Sequence, residues 1–252
     1  YDRKDRTRHF EQAKLERRKR TQDMCSYSQV PTRIRIFRTL DQRVCIQHRT
    51  PCQERTETKG MIEEHPLEPF LPSNATLLML GSFPPQKKRW SMDFFYPNLQ
   101  NDMWRIFGFL FFNDKDHFLL PGKKAFNKDY LIEFLTEKGI ALYDTATAIR
   151  RLQDNASDKF LEVIEPTDIR LLLKLLPQCQ AIVTTGQKAT DIIRSQIEVN
   201  EPSIGQSCPF EFEDRILQLY RMPSSSRAYP LALEKKAAFY QLMLNELGLL
   251  KE

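Results

Sequence analysis

From residue 75 onward, short runs of consecutive apolar residues recur, each closed by glycine, proline or a polar residue. The run 75–80 (ATLLML) stops at Gly81, 140–143 (IALY) at Asp144, 181–185 (AIVTT) at Gly186, and 215–222 (RILQLYRM) at Pro223. The run 75–80 predicts a strand buried on both faces of a parallel sheet, and the other three predict further strands. Between them the apolar spacing changes to a helical one. Helices are predicted over 102–112, 128–139, 166–179, 190–197 and 231–248. The second carries Leu131, Phe134 and Leu135 on one face and Gly139 as its C-cap, and the third opens at Pro166. Strands alternating with helices imply right-handed crossovers, hence an α/β fold with a largely parallel sheet.

Residues 1–60 do not follow this pattern. RIRIF at 33–37 alternates like a strand, but nothing near it offers a partner or a core. The segment is expected to be a disordered or artefactual N-terminal extension, with 61–252 as the folded domain. Met61 opens MIEEHPLEPF, which reads as a natural start.

Charge sharpens the division. The chain of 252 residues has a formal net charge of +5, but residues 1–60 hold 16 basic and 8 acidic residues, leaving 22 and 25 in 61–252. The basic balance therefore says nothing about what the domain binds, and any nucleic-acid argument must rest on a local site. With 41% hydrophobic residues and no apolar run near the roughly 18 residues of a membrane span, no membrane partner is expected. Cys25, Cys45, Cys52, Cys179 and Cys208 show no C-x-x-C spacing, and His9, His48, His65 and His117 are scattered. No metal site is predicted, and a reducing cytoplasm is the expected location.

A parallel α/β sheet binds its ligand beyond the carboxyl ends of its strands. Four segments fall there: 81–85, 144–148, 186–188 and 222–228. GSFPP at 81–85 pairs a permissive glycine with two stiffening prolines, and lacks both a dinucleotide fingerprint and a P-loop lysine, so no nucleotide cofactor is expected. The stretch 87–104 interleaves aromatic residues with Asn and Gln, which suits a pocket that stacks a flat ring and holds a polar group. MPSSSRAYP at 222–230 offers hydroxyls and backbone N–H groups for phosphate oxygens. Taken singly, each of these reads as well as a turn, a core patch or a surface loop.

The order GSFPP, an aromatic stretch ending in QNDMW, YDTATAIRR, TTGQKA and MPSSSRA resembles the uracil-DNA glycosylase superfamily. Within it, the likeness is greatest to the hypoxanthine-DNA glycosylase branch. The resemblance spans about 75–240 and implies a three-layer α/β/α fold around a central four-stranded parallel sheet. It implies a DNA glycosylase that flips a deaminated base, hypoxanthine or uracil, out of double- or single-stranded DNA and hydrolyses its N-glycosidic bond without cofactor; a monomer is expected, since flipping needs one pocket.

Residue by residue, it puts Ser82 and Phe83 nearest the reacting centre. Phe83 stands where many relatives carry Asp or Asn, and Asn101 matches the asparagine that takes over in the hypoxanthine branch. Phe95 or Tyr96 would stack on the base. Asp144, where relatives often carry Asn, would read the base edge, with Asn98 in reserve to Asn101. Ser224, Ser225, Ser226 and Arg227 would press on the DNA strand, although that loop lacks the His of many relatives. Two other readings remain open on the residues alone: a catalytically silent DNA-binding module of the same fold, and a nucleotide-processing α/β enzyme. Mass spectrometry of the native N-terminus is expected to find a chain beginning at Met61, and an earlier start would overturn the reading of 1–60.

Overall fold

The computed structural model describes residues 61–152 and 160–250. The readings of 1–60 and of RIRIF lie outside these residues. The element order is β1 (Ile62–Glu64), β2 (Leu77–Gly81), a 3-10 turn (Lys87–Arg89), α1 (Met103–Phe112), α2 (Lys128–Lys138), β3 (Ile140–Asp144), β4 (Ala146–Arg151) and β5 (Leu161–Pro166). It continues with α3 (Ile169–Leu175), β6 (Ala181–Thr185), α4 (Gln187–Arg194), β7 (Ser207–Phe212), β8 (Arg215–Met222) and α5 (Leu233–Glu246).

The main sheet runs β3-β2-β6-β8-β7, with β3, β2, β6 and β8 mutually parallel and β7 antiparallel to β8. The α/β class holds, but the sheet is five-stranded and mixed rather than four-stranded and parallel. The added edge is a hairpin: Ser207–Phe212 returns along β8, burying Phe210 and Phe212 while Pro209 and Glu211 face solvent. Every residue of β2, β3 and β6 is buried. Because successive side chains point to opposite faces, both sides of these strands are covered.

A second sheet, antiparallel and ordered β1-β4-β5, has no counterpart in the predicted fold. It begins where β3 ends. Thr145 is the single residue between β3 and β4; its N–H donates to the Gly81 carbonyl at 2.8 Å, and its carbonyl accepts from Thr167 N–H at 2.9 Å. The chain thus leaves one sheet for the other immediately after Asp144. A small apolar cluster of Phe83, Ala146, Ile149 and Leu161, flanked by Val163, fills the space under the second sheet.

Two helices start three residues away from their predicted positions. Pro166 ends β5, and α3 begins only at Ile169, capped by Asp168, whose carboxylate accepts from Leu171 N–H at 3.1 Å. It stops at Leu175 because Leu176 precedes Pro177, and a residue before proline is pushed out of the helical region. Helix α4 starts at Gln187, directly after Gly186, three residues before the predicted start. Helix α2 follows the prediction, with Gly139 left-handed at its C-cap and Leu131, Phe134 and Leu135 buried. Among the described residues no helix is long and apolar enough to cross a membrane.

Asp102 stands at the N-cap of α1, yet its carboxylate makes no capping bond. It accepts instead from Lys236 Nζ of α5 at 3.0 Å and from Arg227 Nε at 2.9 Å. Lys236 is fully buried and also donates to the Ser226 carbonyl at 2.8 Å. Removing one partner of a buried ion pair strands the other charge. Lys236→Met is expected to cost about 3 kcal/mol in urea unfolding, near the lower end of the range for broken buried pairs because Arg227 still faces Asp102. A loss below about 1 kcal/mol, the scale of an exposed pair, would show that the pair does not hold the helices.

Candidate active site

Strand β2 is the point where the sheet reverses direction: the chain passes from it to β3 on one side and later to β6 on the other. Such a switch point leaves a crevice beyond the carboxyl ends of the strands. A cavity of about 110 Å³ opens there, walled by Gly81–Pro85 after β2, Asp144 at the end of β3, Thr185 at the end of β6 and Ser224–Ser226 after β8. Tyr96, Pro97, Asn98, Gln100 and Asn101 close it from the segment before α1, and Arg151 and Leu161 from the second sheet. Its volume is on the scale of the roughly 150 Å³ void that holds one benzene ring, and well under the roughly 300 Å³ of a typical ligand cleft. It suits one flat ring system.

The floor is built from Gly81 and Asp144. A Cβ at Gly81 would collide with Asp144 Oδ1, so only glycine lets the carboxylate lie over the first loop. The other oxygen, Oδ2, is 3.0 Å from His65 Nε2, and both side chains are withdrawn from solvent, His65 fully. The His65 ring sits among Phe83, Tyr143 and Phe95, with centroids 5.2, 4.7 and 6.3 Å away. A carboxylate can only accept, so Nε2 is the donor wherever Asp144 is ionised.

The first loop is stiffened from outside. Arg151 forms a two-pronged pair with Glu63 at 3.0 Å for each bond, and its Nη2 donates to the Pro84 carbonyl at 3.2 Å. Trp90 Nε1 donates to the Pro85 carbonyl at 2.6 Å. Phe83 lines the cavity but as apolar wall, its ring set into the Ala146–Ile149–Leu161 cluster. A hydrocarbon ring cannot orient a water, so any such role in this loop falls to Ser82 or to backbone.

Tyr96 and Phe95 part company. Tyr96 lines the cavity, its hydroxyl 3.3 Å from Thr185 Oγ1, on a left-handed backbone with φ of +48°. Left-handed backbone at a non-glycine residue costs on the order of 1 kcal/mol and concentrates at functional sites. Phe95 instead belongs to the core: it is 3% exposed, packs edge-on to Phe94 and Tyr143, and its carbonyl accepts from Trp104 Nε1. It does not reach the cavity wall, so it is no stacking candidate.

Asn101 takes over the capping of α1 that Asp102 gives up. Its Oδ1 accepts from Met103 N–H at 2.9 Å, which fixes the side chain and leaves the amide Nδ2 without a partner among the described residues. Asn98 makes a similar local turn, accepting from Gln100 N–H at 2.9 Å. In the serine loop, Ser224 Oγ accepts from Ser226 N–H at 3.3 Å and Ser226 Oγ from Ala228 N–H at 3.2 Å. Beneath them Tyr240 donates to the Pro223 carbonyl; burial, with the charge of Tyr96 added, pushes its hydroxyl well above the usual phenol range.

Arg227 stands outside the cavity wall. It turns away from the cavity to Asp102 and toward Gln100, and lines a separate open groove with Arg105 and Lys115. Burial, then the Arg227 charge, lowers the pKa of Arg105. The remaining predicted residues, Ser82, Phe83, Tyr96, Asn98, Asn101, Asp144 and Ser224 to Ser226, all reach one cavity. Sequence reasoning gave no role to His65, Arg151 or Thr185. Arg151 and Thr185 stood inside quoted motifs, YDTATAIRR and TTGQKA, and that was the available signal. His65 had none, since it lies 79 positions from its partner.

No protein-family model and no curated protein matches the chain. Among solved structures it is similar to the solution NMR structure of a candidate uracil DNA glycosylase from Methanosarcina acetivorans, at 22% identity and a TM-score of 0.48, over 73% of this chain and 99% of that one.

Gly81→Ala is expected to displace Asp144 and cost about 1–3 kcal/mol of stability, the usual range for overpacking. In an Asp144→Ala background the obstacle is gone and the same substitution should cost less than half as much. Equal costs in both backgrounds, read from urea midpoints, would contradict the close approach.

Proposed function

We propose that this protein is a DNA glycosylase that takes a deaminated base, hypoxanthine or uracil, out of the helix stack and hydrolyses its bond to the sugar. The observation that carries the reading is the convergence of the five motif segments on one ring-sized cavity at the sheet's switch point. Their order carries the resemblance; their meeting around an aromatic ring, a fixed carboxylate and a fixed amide is what base excision requires.

The chemistry follows from these groups. Extruding a nucleotide costs a few kcal/mol, least for a mismatched or unpaired base. In the cavity, Tyr96 stacks on the base and Asp144 Oδ1 accepts from one of its N–H groups. The C1′–N bond breaks with its electron pair passing to the base, leaving an oxocarbenium-like sugar. A water held by Asn101 adds its oxygen to C1′, and its released proton passes to solvent or to the departing base. Donors aimed at the developing anion lower the barrier. The hydroxyls and N–H groups of Ser224, Ser225 and Ser226 meet the phosphates beside the flipped nucleotide. An amide positions water but is a poor base, so turnover is modest.

Among the described residues no lysine lines the cavity, in keeping with direct hydrolysis rather than a covalent enzyme–sugar intermediate. Cleft size and charge weigh against a free nucleotide as substrate. The cavity takes a base but not a whole nucleotide, and Arg151, the cation at its wall, is already paired with Glu63. The apolar Phe83 favours the silent-binder reading as the alternative, because it replaces the polar side chain expected in the first loop.

The full chain incubated with duplex oligonucleotides carrying one uracil, hypoxanthine or xanthine is expected to leave alkali-sensitive abasic sites at one of these bases. Asn101→Ala should slow the reaction by about 100-fold or more, the scale of removing one transition-state hydrogen bond. Tight binding of lesion DNA with no abasic product from any of the three would replace the glycosylase by the silent binder.

A further inference from the structure

His65 is buried, meets the cavity-wall residues Asp144 and Phe83, and is held from both ends. Its Nδ1 lies 2.8 Å from the Leu67 carbonyl oxygen and 3.2 Å from the Leu67 N–H, and its Nε2 lies 3.0 Å from Asp144 Oδ2. In the neutral form with the proton on Nε2, Nδ1 accepts from Leu67 N–H. In the imidazolium form Nδ1–H donates to the Leu67 carbonyl. Both forms leave Nε2–H pointed at Asp144.

The carboxylate is constrained on its other sides as well. Its backbone carbonyl accepts from Thr167 Oγ1 at 2.7 Å, and its Oδ1 lies over Gly81, where no side chain can intervene. With Oδ2 facing an N–H donor, the carboxylate is fixed in orientation, and its other oxygen faces the first loop of the cavity.

We infer that His65 is a positioning residue for base selection: through Nε2–H it fixes the orientation of the Asp144 carboxylate, so that Oδ1 is presented to a ring N–H of the extruded base. This rests on the glycosylase reading. Deamination converts the bare ring nitrogen of adenine or cytosine into a ring N–H in hypoxanthine or uracil. A carboxylate oxygen held against that nitrogen attracts the deaminated base and repels the lone pair of its parent, whereas a carboxylate free to rotate would not be aimed there. His65 removes that freedom.

The test uses the full chain, its His65→Gln and His65→Leu variants, and two probes. Glutamine places an amide N–H where Nε2 stands, and leucine fills the space without a donor. The first probe is excision of uracil and hypoxanthine relative to their ring-N-methylated forms, 3-methyluracil and 1-methylhypoxanthine. Wild type is expected to prefer the N–H base, His65→Gln to keep that preference, and His65→Leu to narrow it by roughly 10-fold, the worth of one charge-assisted hydrogen bond.

The second probe is the nitrogen NMR spectrum of the His65 imidazole, which reports directly whether Nε2 carries a proton. It is expected to, with a resonance that shifts in Asp144→Asn. A bare Nε2, or a leucine variant as selective as wild type, overturns the assignment. If the wild-type chain excises nothing, the glycosylase reading falls and the imidazole spectrum alone decides whether His65 holds Asp144 as an acceptor. The same spectrum decides should the leucine variant fail to fold.

Discussion

A carboxylate 6% exposed, Asp102, meets a fully buried ammonium, Lys236, between the start of α1 and the first turns of α5. Neither charge could be left there alone, because an unpaired ion in a low-dielectric interior costs several kcal/mol. Lys236 also holds the Ser226 carbonyl, and the backbone N–H of Asp102 donates to the Ser225 carbonyl at 2.8 Å. One charge pair therefore sets three things together: where α1 begins, how α5 packs, and the path of the serine loop. Asn101, one residue before Asp102, inherits its position on the cavity wall from this arrangement. The cavity's far wall is placed by an interaction that lies behind it.

The opposite wall depends on a change of sheet. Between Asp144 and Ala146 the chain leaves the parallel sheet for the antiparallel one, and the single residue between them, Thr145, is bound to Gly81 and Thr167. The turn leaves the Asp144 carboxylate at the end of β3, over a glycine and against His65. The second sheet then returns Arg151 and Leu161 to the rim. Without that sheet the first loop would have neither its apolar support at Phe83 nor the Arg151 contact to Pro84.

The charges around the site are matched in pairs. Asp144 is matched by His65, and Arg151 by Glu63. Arg227, the cation of the serine loop, is turned to Asp102. Beside its apolar residues the wall presents hydroxyls, amides and one carboxylate oxygen, among which Tyr96, Asn98, Asn101 and Ser224 are oriented by hydrogen bonds. Fixed dipoles of this kind discriminate by donor and acceptor pattern, and they lose little to reorganisation when a ring enters.

The strands β2, β3 and β6 could be read from the chain because burial on both faces forces largely apolar runs, and β8 because half of its residues are buried. The C-cap of α2 could be read because it is local. The motif segments also announced themselves, since they sit at strand ends where function tolerates unusual composition. The edge strands could not be read with the same ease: β5 and β7 are half-exposed, and a six-residue alternation competes poorly with turn signals such as Pro209. Pro166 looked like a helix start because proline suits both the first turn of a helix and the end of an edge strand. The pairings of His65 with Asp144, Asp102 with Lys236, and Arg227 with Asp102 span 79, 134 and 125 positions. Local pattern reports which side chains avoid water, but it carries no information on which distant charges meet. Only packing, through the cost of burying a charge without its partner, chose them.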